Sequence, residues 1–317
     1  MTVQHDTNLL VRRSKLFVPV NRDKFVQKAW SRGADCIILD LEDAVAPQDK
    51  DSARKLVKDA LSVVKKGRAD VQVRINRGLE EEDLDAIIYS ELTGVMIPKA
   101  ESGEEIKRID EMVSQLEKER DIPEGKIQFD LIIETAIGII NAEEIAKASP
   151  RIVQTNIGQV DLSVDMGYTR KPELNFDHYV YAENKVRHAA VAAGVQPCGL
   201  GAQRNVDFTD VSLGPEGMYN ACKHAFYMGY RGSIVIHPAW VKAANEGYQP
   251  EAVDLDLARR VKVALDEGYA RGEGSVKVDG RMYDVANMKD INRVIARADA
   301  LEKKEAEKAA AMAAAGA

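Results

Sequence analysis

The sequence predicts a (β/α)8 barrel, the TIM architecture, with a C-terminal helical lid, and three observations carry that prediction. Short apolar runs rich in β-branched residues alternate eight times with longer, charged amphipathic segments, the pattern of repeated βα units around a parallel sheet. Eight such units close a barrel more readily than they build an open sheet. Two consecutive apolar runs each release one carboxylate at the end where a barrel keeps its ligands. At 317 residues the chain has the length of one barrel plus an extension, and the expected division is 1–271 for the catalytic barrel and 272–317 for the lid.

In chain order, the first strand is expected over Leu16 to Val20, within a basic stretch containing Arg12, Arg13, Lys15, Arg22, Lys24 and Lys28. The second, Cys36 to Asp40, runs into the acidic turn Leu39-Asp-Leu-Glu-Asp43, and a helix succeeds it from Asp49 to Val64. In the third strand, Val71 to Ile75, period-2 alternation sets Arg74 on the face opposite Val73 and Ile75. Gly94 to Pro98 forms the fourth, with Lys99 and a helix from Ser102 to Lys118 after it. The fifth, Ile127 to Glu134, precedes a helix over Asn141 to Ala148, and the sixth, Ile152 to Ile157, leads into Gly158-Gln-Val-Asp161. A helix from His178 to Ala193, a strand from Val195 to Gly199, a helix from Glu216 to Met228, a strand from Ser233 to His237 and a helix from Asp254 to Arg271 complete the alternation. Gly272-Glu-Gly-Ser275 then breaks the pattern, and the C-terminal stretch beyond it cannot be a ninth unit: it comprises Val276 to Asp284, a helix over Lys289 to Lys308, and a frayed Ala-rich end.

Glu134 ends an otherwise apolar strand, where a carboxylate without a compensating cation is costly to desolvate. With Asp161 from the next unit it makes a pair of hard oxygen donors suited to Mg²⁺, or Mn²⁺ in its place, beside a small oxyanion. Each acid could instead cap the helix after it. Asp40, Glu42 and Asp43 repel one another unless a cation or arginines neutralise them, so they are a second candidate at the same mouth, against a merely solvated loop. Arg74 points at these acids; its planar fork suits a carboxylate or enolate oxygen, with a structural salt bridge to Asp40 or Glu42 as the competing role. The basic first-strand stretch suits the phosphates of a nucleotide-like handle or is simply solvated. Lys99 stands where a Schiff-base lysine could sit, but a metal-dependent route needs no such amine, which favours a structural or charge-neutralising part. A packing histidine accounts for His237-Pro238 at the end of the last strand as well as a catalytic one does.

Other chemistries find no support. A net charge of -7 argues against bulk capture of nucleic acid. Three cysteines without a CxxC pair and five histidines without HExxH argue against a zinc site and for a reducing compartment. Neither GxGxxG nor GxxxxGK[ST] is present. With no leader pattern and no long apolar run, the expectation is a soluble cytoplasmic protein with no membrane partner.

Taken together and in order, Arg13-Ser-Lys-Leu-Phe-Val-Pro19, Leu39-Asp-Leu-Glu-Asp-Ala-Val-Ala-Pro47, Val73-Arg-Ile-Asn76, Ile97-Pro-Lys99, Ile133-Glu-Thr-Ala-Ile-Gly138 and Ile236-His-Pro238 resemble the citrate lyase β-subunit-like (HpcH/HpaI aldolase) family. Malyl-CoA, β-methylmalyl-CoA and citramalyl-CoA lyases are its most similar branch. The likeness continues through Ala270-Arg-Gly-Glu-Gly274 and Gly280-Arg-Met-Tyr-Asp284, and so spans nearly the whole chain. It implies a TIM barrel, Mg²⁺ held by Glu134 and Asp161, and carbon–carbon cleavage of a CoA thioester. It also implies that Phe17, Arg22 and Lys28 lie along the CoA and acyl path, that Ile236, His237 and Pro238 meet the substrate, and that Arg74 binds the oxyanion. Asp43 would act beside Arg74, and Asp284 would reach an active site from the lid, commonly that of a neighbouring subunit in a homotrimer or hexamer. Three positions depart from the family pattern: Val20 replaces a Gly, Val160 a Glu or Ala, and Cys198 a frequent Asp. They leave the metal pair intact and bear on the acyl pocket.

The implied reaction is retro-Claisen cleavage of a 3-hydroxy-3-carboxyacyl-CoA into acetyl- or propionyl-CoA and the keto acid glyoxylate or pyruvate. Rival activities are malyl-CoA thioester hydrolysis, condensation in the malate-synthase direction, and action as a citrate lyase subunit on an acyl-carrier-protein thioester. One methyl group in a pocket is worth only about 1–3 kcal/mol of discrimination, which leaves both keto acids open.

Overall fold

In the computed structural model, which describes residues 5–168, 178–201 and 211–315, all eight expected strands form. They are β1 (Ser14–Pro19), β2 (Cys36–Asp40), β3 (Asp70–Arg74), β4 (Gly94–Ile97), β5 (Gln128–Ile133), β6 (Ile152–Ile157), β7 (Gln196–Cys198) and β8 (Ser233–Val235). Every neighbouring pair is parallel, in the order β7-β6-β5-β4-β3-β2-β1-β8. Two backbone bonds join the ends of that order: Arg231 N–H donates to Pro197 O at 3.0 Å and Gly199 N–H to Gly232 O at 2.8 Å. The sheet thus curls into a barrel.

Between and after the strands lie α1 (Asp23–Ala29), α2 (Lys50–Val64), α3 (Glu80–Ile87), α4 (Gly103–Glu119), α5 (Ala136–Ile140), α6 (Ala142–Ala146), α7 (Gln159–Asp165), α8 (Val180–Ala192), α9 (Gly214–Tyr227) and α10 (Val241–Gly247). The long helices match the amphipathic segments read from the sequence. Ser102 caps α4 by accepting the Glu105 N–H at 3.2 Å, and Thr135 caps α5 by accepting the Gly138 N–H at 3.2 Å. Periodicity does not mark the short helices α1, α3, α7 and α10, because one or two turns carry too few apolar positions to show it: α1 buries only Val26 and Ala29.

Period-2 alternation sorts the strand side chains into two sets. Leu16, Val18, Ile37, Leu39, Val71, Val73, Val95 and Ile97 face the helices in the main core, while Phe17, Cys36, Ile38, Met96, Ile132 and Ile234 form a separate cluster inside the barrel. The interior also holds charge. Lys15 Nζ bonds Asp130 at 2.8 Å and Asn156 at 2.6 Å, and all three residues are buried. Arg12 pairs with Asp70 at 2.7 Å, and Arg13 grips Asp35 through Nε at 2.7 Å and Nη2 at 3.0 Å. This corrects the view of the first-strand stretch as one basic surface: three of its six cations are core ion pairs, and only Arg22, Lys24 and Lys28 remain exposed.

The chain divides into two compact units, Met1–Thr7 with Arg12–Tyr248 and Lys308–Ala317, and Asn8–Val11 with Gln249–Glu307. The second contains α11 (Ala252–Ala270), the antiparallel pair β9 (Ser275–Val278) and β10 (Arg281–Asp284), and most of α12 (Val285–Ala315). The helix that the alternation places before the break at Gly272 therefore lies in this unit. The hairpin turn is Asp279-Gly280, with φ of 49° and 80°, the left-handed pair a two-residue turn requires. Val261 and Leu265 of α11, Val276 and Val278 of β9, Tyr283 of β10 and Ile291 of α12 share one apolar cluster. Among the described residues no helix is long and apolar enough to cross a membrane.

Candidate active site

The C-terminal ends of β2 to β6 gather the ionisable residues. Glu134 comes directly after β5 and is 3% exposed; its Oε1 accepts the Lys99 N–H at 3.0 Å. Burial first, then Asp161 and Glu42, push its pKa up to about 8. Gly158, in the turn from β6 to α7, lies so close that a Cβ there would stand 2.0 Å from Glu134 Oε2. Asp161, in the first turn of α7, is partly open, and its Oδ1 is 3.4 Å from Lys99 Nζ.

Asp40, at the end of β2, grips Arg74, at the end of β3, through Nε at 2.7 Å and Nη2 at 2.7 Å. Its two oxygens also accept the Glu42 N–H at 2.9 Å and the Ala44 N–H at 3.2 Å, so the acid shapes the turn as well as the arginine. Arg74 Nη1 faces Glu42 at 2.8 Å and Asp43 at 3.2 Å, and its guanidinium carbon lies 4.5 Å from the centre of the Phe17 ring. Although burial works against the charge, Asp40, Glu42 and Asp43 hold the Arg74 pKa above its usual value. Glu42 is buried and bridges two cations, with Lys99 Nζ at 2.8 Å; burial nevertheless raises its pKa against the pull of Arg74 and Lys99. Asp43, by contrast, has a side chain 58% exposed and opens to solvent. Lys50 braces the turn from below, donating to the Leu41 and Glu42 carbonyls at 2.6 Å each.

Arg74, Asp43, Phe17, Glu134 and Asp161 thus belong to one constellation with Asp40, Glu42 and Lys99. Arg22 precedes α1 and Lys28 lies in its last turn, both exposed. At the end of β8, Ile236 is exposed, and His237 Nδ1 accepts the Ala239 N–H at 3.2 Å with its ring 6.3 Å from Trp240, so its resolved contacts are local; Pro238 opens the 3-10 turn. Asp284, on the second unit, is exposed and caps α12 through the Ala286 N–H at 2.9 Å. Of the departing positions, Val20 and Cys198 are buried, the latter accepting from Gln154 Nε2 at 3.1 Å, whereas Val160 is exposed on α7.

The residue that pattern reasoning undervalues is Lys99. Its backbone adopts φ +48°, a left-handed conformation that side chains seldom take and that recurs at functional sites. That turn aims its N–H at Glu134 and its ammonium at Glu42 and Asp161. Nothing in Ile97-Pro-Lys99 announces the conformation, since a non-glycine residue carries no local mark of it.

The acids fit a hard divalent cation. Glu134 is buried, its ionised form is disfavoured, and the second carboxylate beside it makes that worse unless a cation intervenes. Among the described residues no group of three or more His, Cys, Asp or Glu could hold a metal, and one or two carboxylates are what Mg²⁺ ordinarily takes from a protein, with water and substrate supplying the rest. Glu134 and Asp161 are the pair that could hold it.

The family profile described as HpcH/HpaI aldolase/citrate lyase matches residues 13–238. Citrate lyase subunit beta of Leuconostoc mesenteroides subsp. cremoris is 33% identical over 297 residues, 92% of this chain and 95% of that one. L-malyl-CoA/beta-methylmalyl-CoA lyase of Cereibacter sphaeroides is 32% identical over 303 residues, 90% of this chain and 94% of that one. The crystal structure of CitE from Mycobacterium tuberculosis in complex with magnesium, acetoacetate and coenzyme A superposes with a TM-score of 0.68 at 27% identity, covering 92% of this chain and 99% of that one.

Proposed function

The chain belongs to the HpcH/HpaI aldolase/citrate lyase family, carbon–carbon lyases that act on CoA thioesters, and from that premise we propose that it is a Mg²⁺-dependent lyase of a 3-hydroxy-3-carboxyacyl-CoA. Malyl-CoA, β-methylmalyl-CoA and citramalyl-CoA are its substrate class, and acetyl- or propionyl-CoA with glyoxylate or pyruvate its products. The observation that carries this is the buried Glu134 carboxylate, paired with Asp161 and linked through Lys99 and Glu42 to an arginine already aligned by Asp40. The relative crystallised with magnesium, acetoacetate and coenzyme A supports a site that takes a metal and a CoA-linked substrate together.

Glu134 and Asp161 would hold the cation, which when bound supplies a Lewis acid for the substrate's hydroxyl and carboxylate oxygens. Asp43, open to solvent and otherwise bonded only to Arg74 among its resolved contacts, takes the hydroxyl proton. The C2–C3 bond then breaks: its electrons pass to the thioester as an enolate while the former carbinol carbon becomes the carbonyl of the keto acid. Arg74 stabilises that developing oxyanion, its orientation fixed in advance by Asp40 below and Phe17 alongside. Arg22 and Lys28, two of the three cations left exposed after the first strand, meet the phosphates of CoA. The Gly280 to Asp284 motif supports a last role, return of a proton to C2 by Asp284 serving a neighbouring copy in a trimer or hexamer.

Asp161→Ala tests the metal role. The variant keeps its far-UV circular dichroism and loses cleavage by about a hundredfold or more; a folded variant with wild-type, Mg²⁺-dependent turnover contradicts it.

A further inference from the structure

We propose that Lys99 sets how tightly the site takes its divalent cation: its ammonium, held between Glu42 and Asp161, neutralises Asp161 in the metal's absence and must leave it before the metal can bind. This rests on the proposed metal pair, Glu134 and Asp161. Lys99 touches every acid concerned, Glu42 through Nζ at 2.8 Å, Asp161 through Nζ at 3.4 Å, and Glu134 through its backbone N–H at 3.0 Å. The contact it must surrender is the longer one. Withdrawal leaves the ammonium on Glu42, so no charge is stranded, and Asp161 turns to the incoming cation. The left-handed φ of +48° makes the arrangement possible, because it directs main chain and side chain of one residue to different acids of the same cluster.

An ammonium a few ångströms from a divalent cation repels it, and removing that charge tightens cation binding. A merely structural lysine has the opposite signature, since its loss loosens the acids and weakens binding. The sign of the change therefore separates the two roles.

The test is Mn²⁺ binding to the full-length, substrate-free protein, monitored by electron paramagnetic resonance of the free ion and by calorimetry. Lys99→Met is expected to bind Mn²⁺ about tenfold more tightly than wild type, and Lys99→Arg, which keeps the charge, to stay within about threefold of it. Lys99→Gln, which keeps a donor for Glu42, is expected to tighten binding likewise and serves if Lys99→Met does not fold. Unchanged or weaker binding in a folded, neutral variant overturns the role of Lys99 while leaving the metal pair standing. Failure of the wild-type protein to bind Mn²⁺ overturns the metal pair and this inference with it.

Discussion

Glu134 ionises against its surroundings, and that has a measurable sign. Its ordinary pKa is 4.5 and its folded value about 8, so between those limits the folded chain keeps a proton that the unfolded chain has released. Stability therefore falls as pH rises through this window, by up to about 1.4 kcal/mol per unit, and the contribution is flat on either side. Glu134→Gln removes the slope: in urea denaturation at about pH 5 and pH 8 the variant gains on the parent at the higher pH, while losing Mn²⁺ binding. An unchanged difference between the two pH values contradicts the burial argument. Glu134 was legible as a site residue because an acid interrupts an apolar strand, and Arg74 because alternation sets it apart from Val73 and Ile75. Glu42 was visible as one of three clustered acids and Lys99 as a charge-neutralising lysine at a strand end; the left-handed backbone of Lys99 and the sharing of the Glu42 carboxylate between two cations leave no such trace.

The first six strands were legible as apolar runs of four to six residues, and β7 and β8, three residues each, through the alternation around them. The helices beyond three turns were legible because they repeat their period. Shorter turns are fixed by contacts that the local sequence does not record, and the passage from β6 to α7 shows it. Gly158 has φ -93°, a conformation open to any residue, so glycine is not demanded by the backbone there. It is demanded by Glu134, whose Oε2 occupies the space a Cβ would need. Gly158→Ala is accordingly expected to displace the carboxylate, weaken Mn²⁺ binding by about tenfold or more, and cost roughly 1–3 kcal/mol of stability. Calorimetry of Mn²⁺ binding together with thermal denaturation checks both; wild-type binding by the variant contradicts the close approach.

Across the whole chain, the unforeseen feature is how the last helix ends. Read from composition, the C-terminal segment is an appended lid with a frayed tail. In the structure α12 runs to Ala315, and Lys308, nearly buried, donates to Asp35 Oδ1 at 2.7 Å and Gly33 O at 3.0 Å. A partner 273 residues away leaves no local signature. Burial opposes the charge of Asp35, but Arg13 and Lys308 hold its pKa below the usual carboxylate range. Stability from this group is present above pH 3.8 and is lost as the pH falls through the lowered value. Lys308→Ala is expected to cost roughly 2–4 kcal/mol near neutral pH and less in strong acid, as urea denaturation at both would reveal; a pH-independent difference contradicts the pairing.

The central claim, metal-dependent carbon–carbon cleavage of a CoA thioester, is tested most directly by product analysis. Purified protein is incubated with Mg²⁺ and malyl-CoA, β-methylmalyl-CoA or citramalyl-CoA, with and without EDTA, and the products are identified by mass spectrometry. The predicted result is release of acetyl- or propionyl-CoA with an equal amount of glyoxylate or pyruvate from at least one of the three, abolished by EDTA. Free CoA with the hydroxy acid intact, cleavage indifferent to EDTA, or no turnover of any of the three would contradict it.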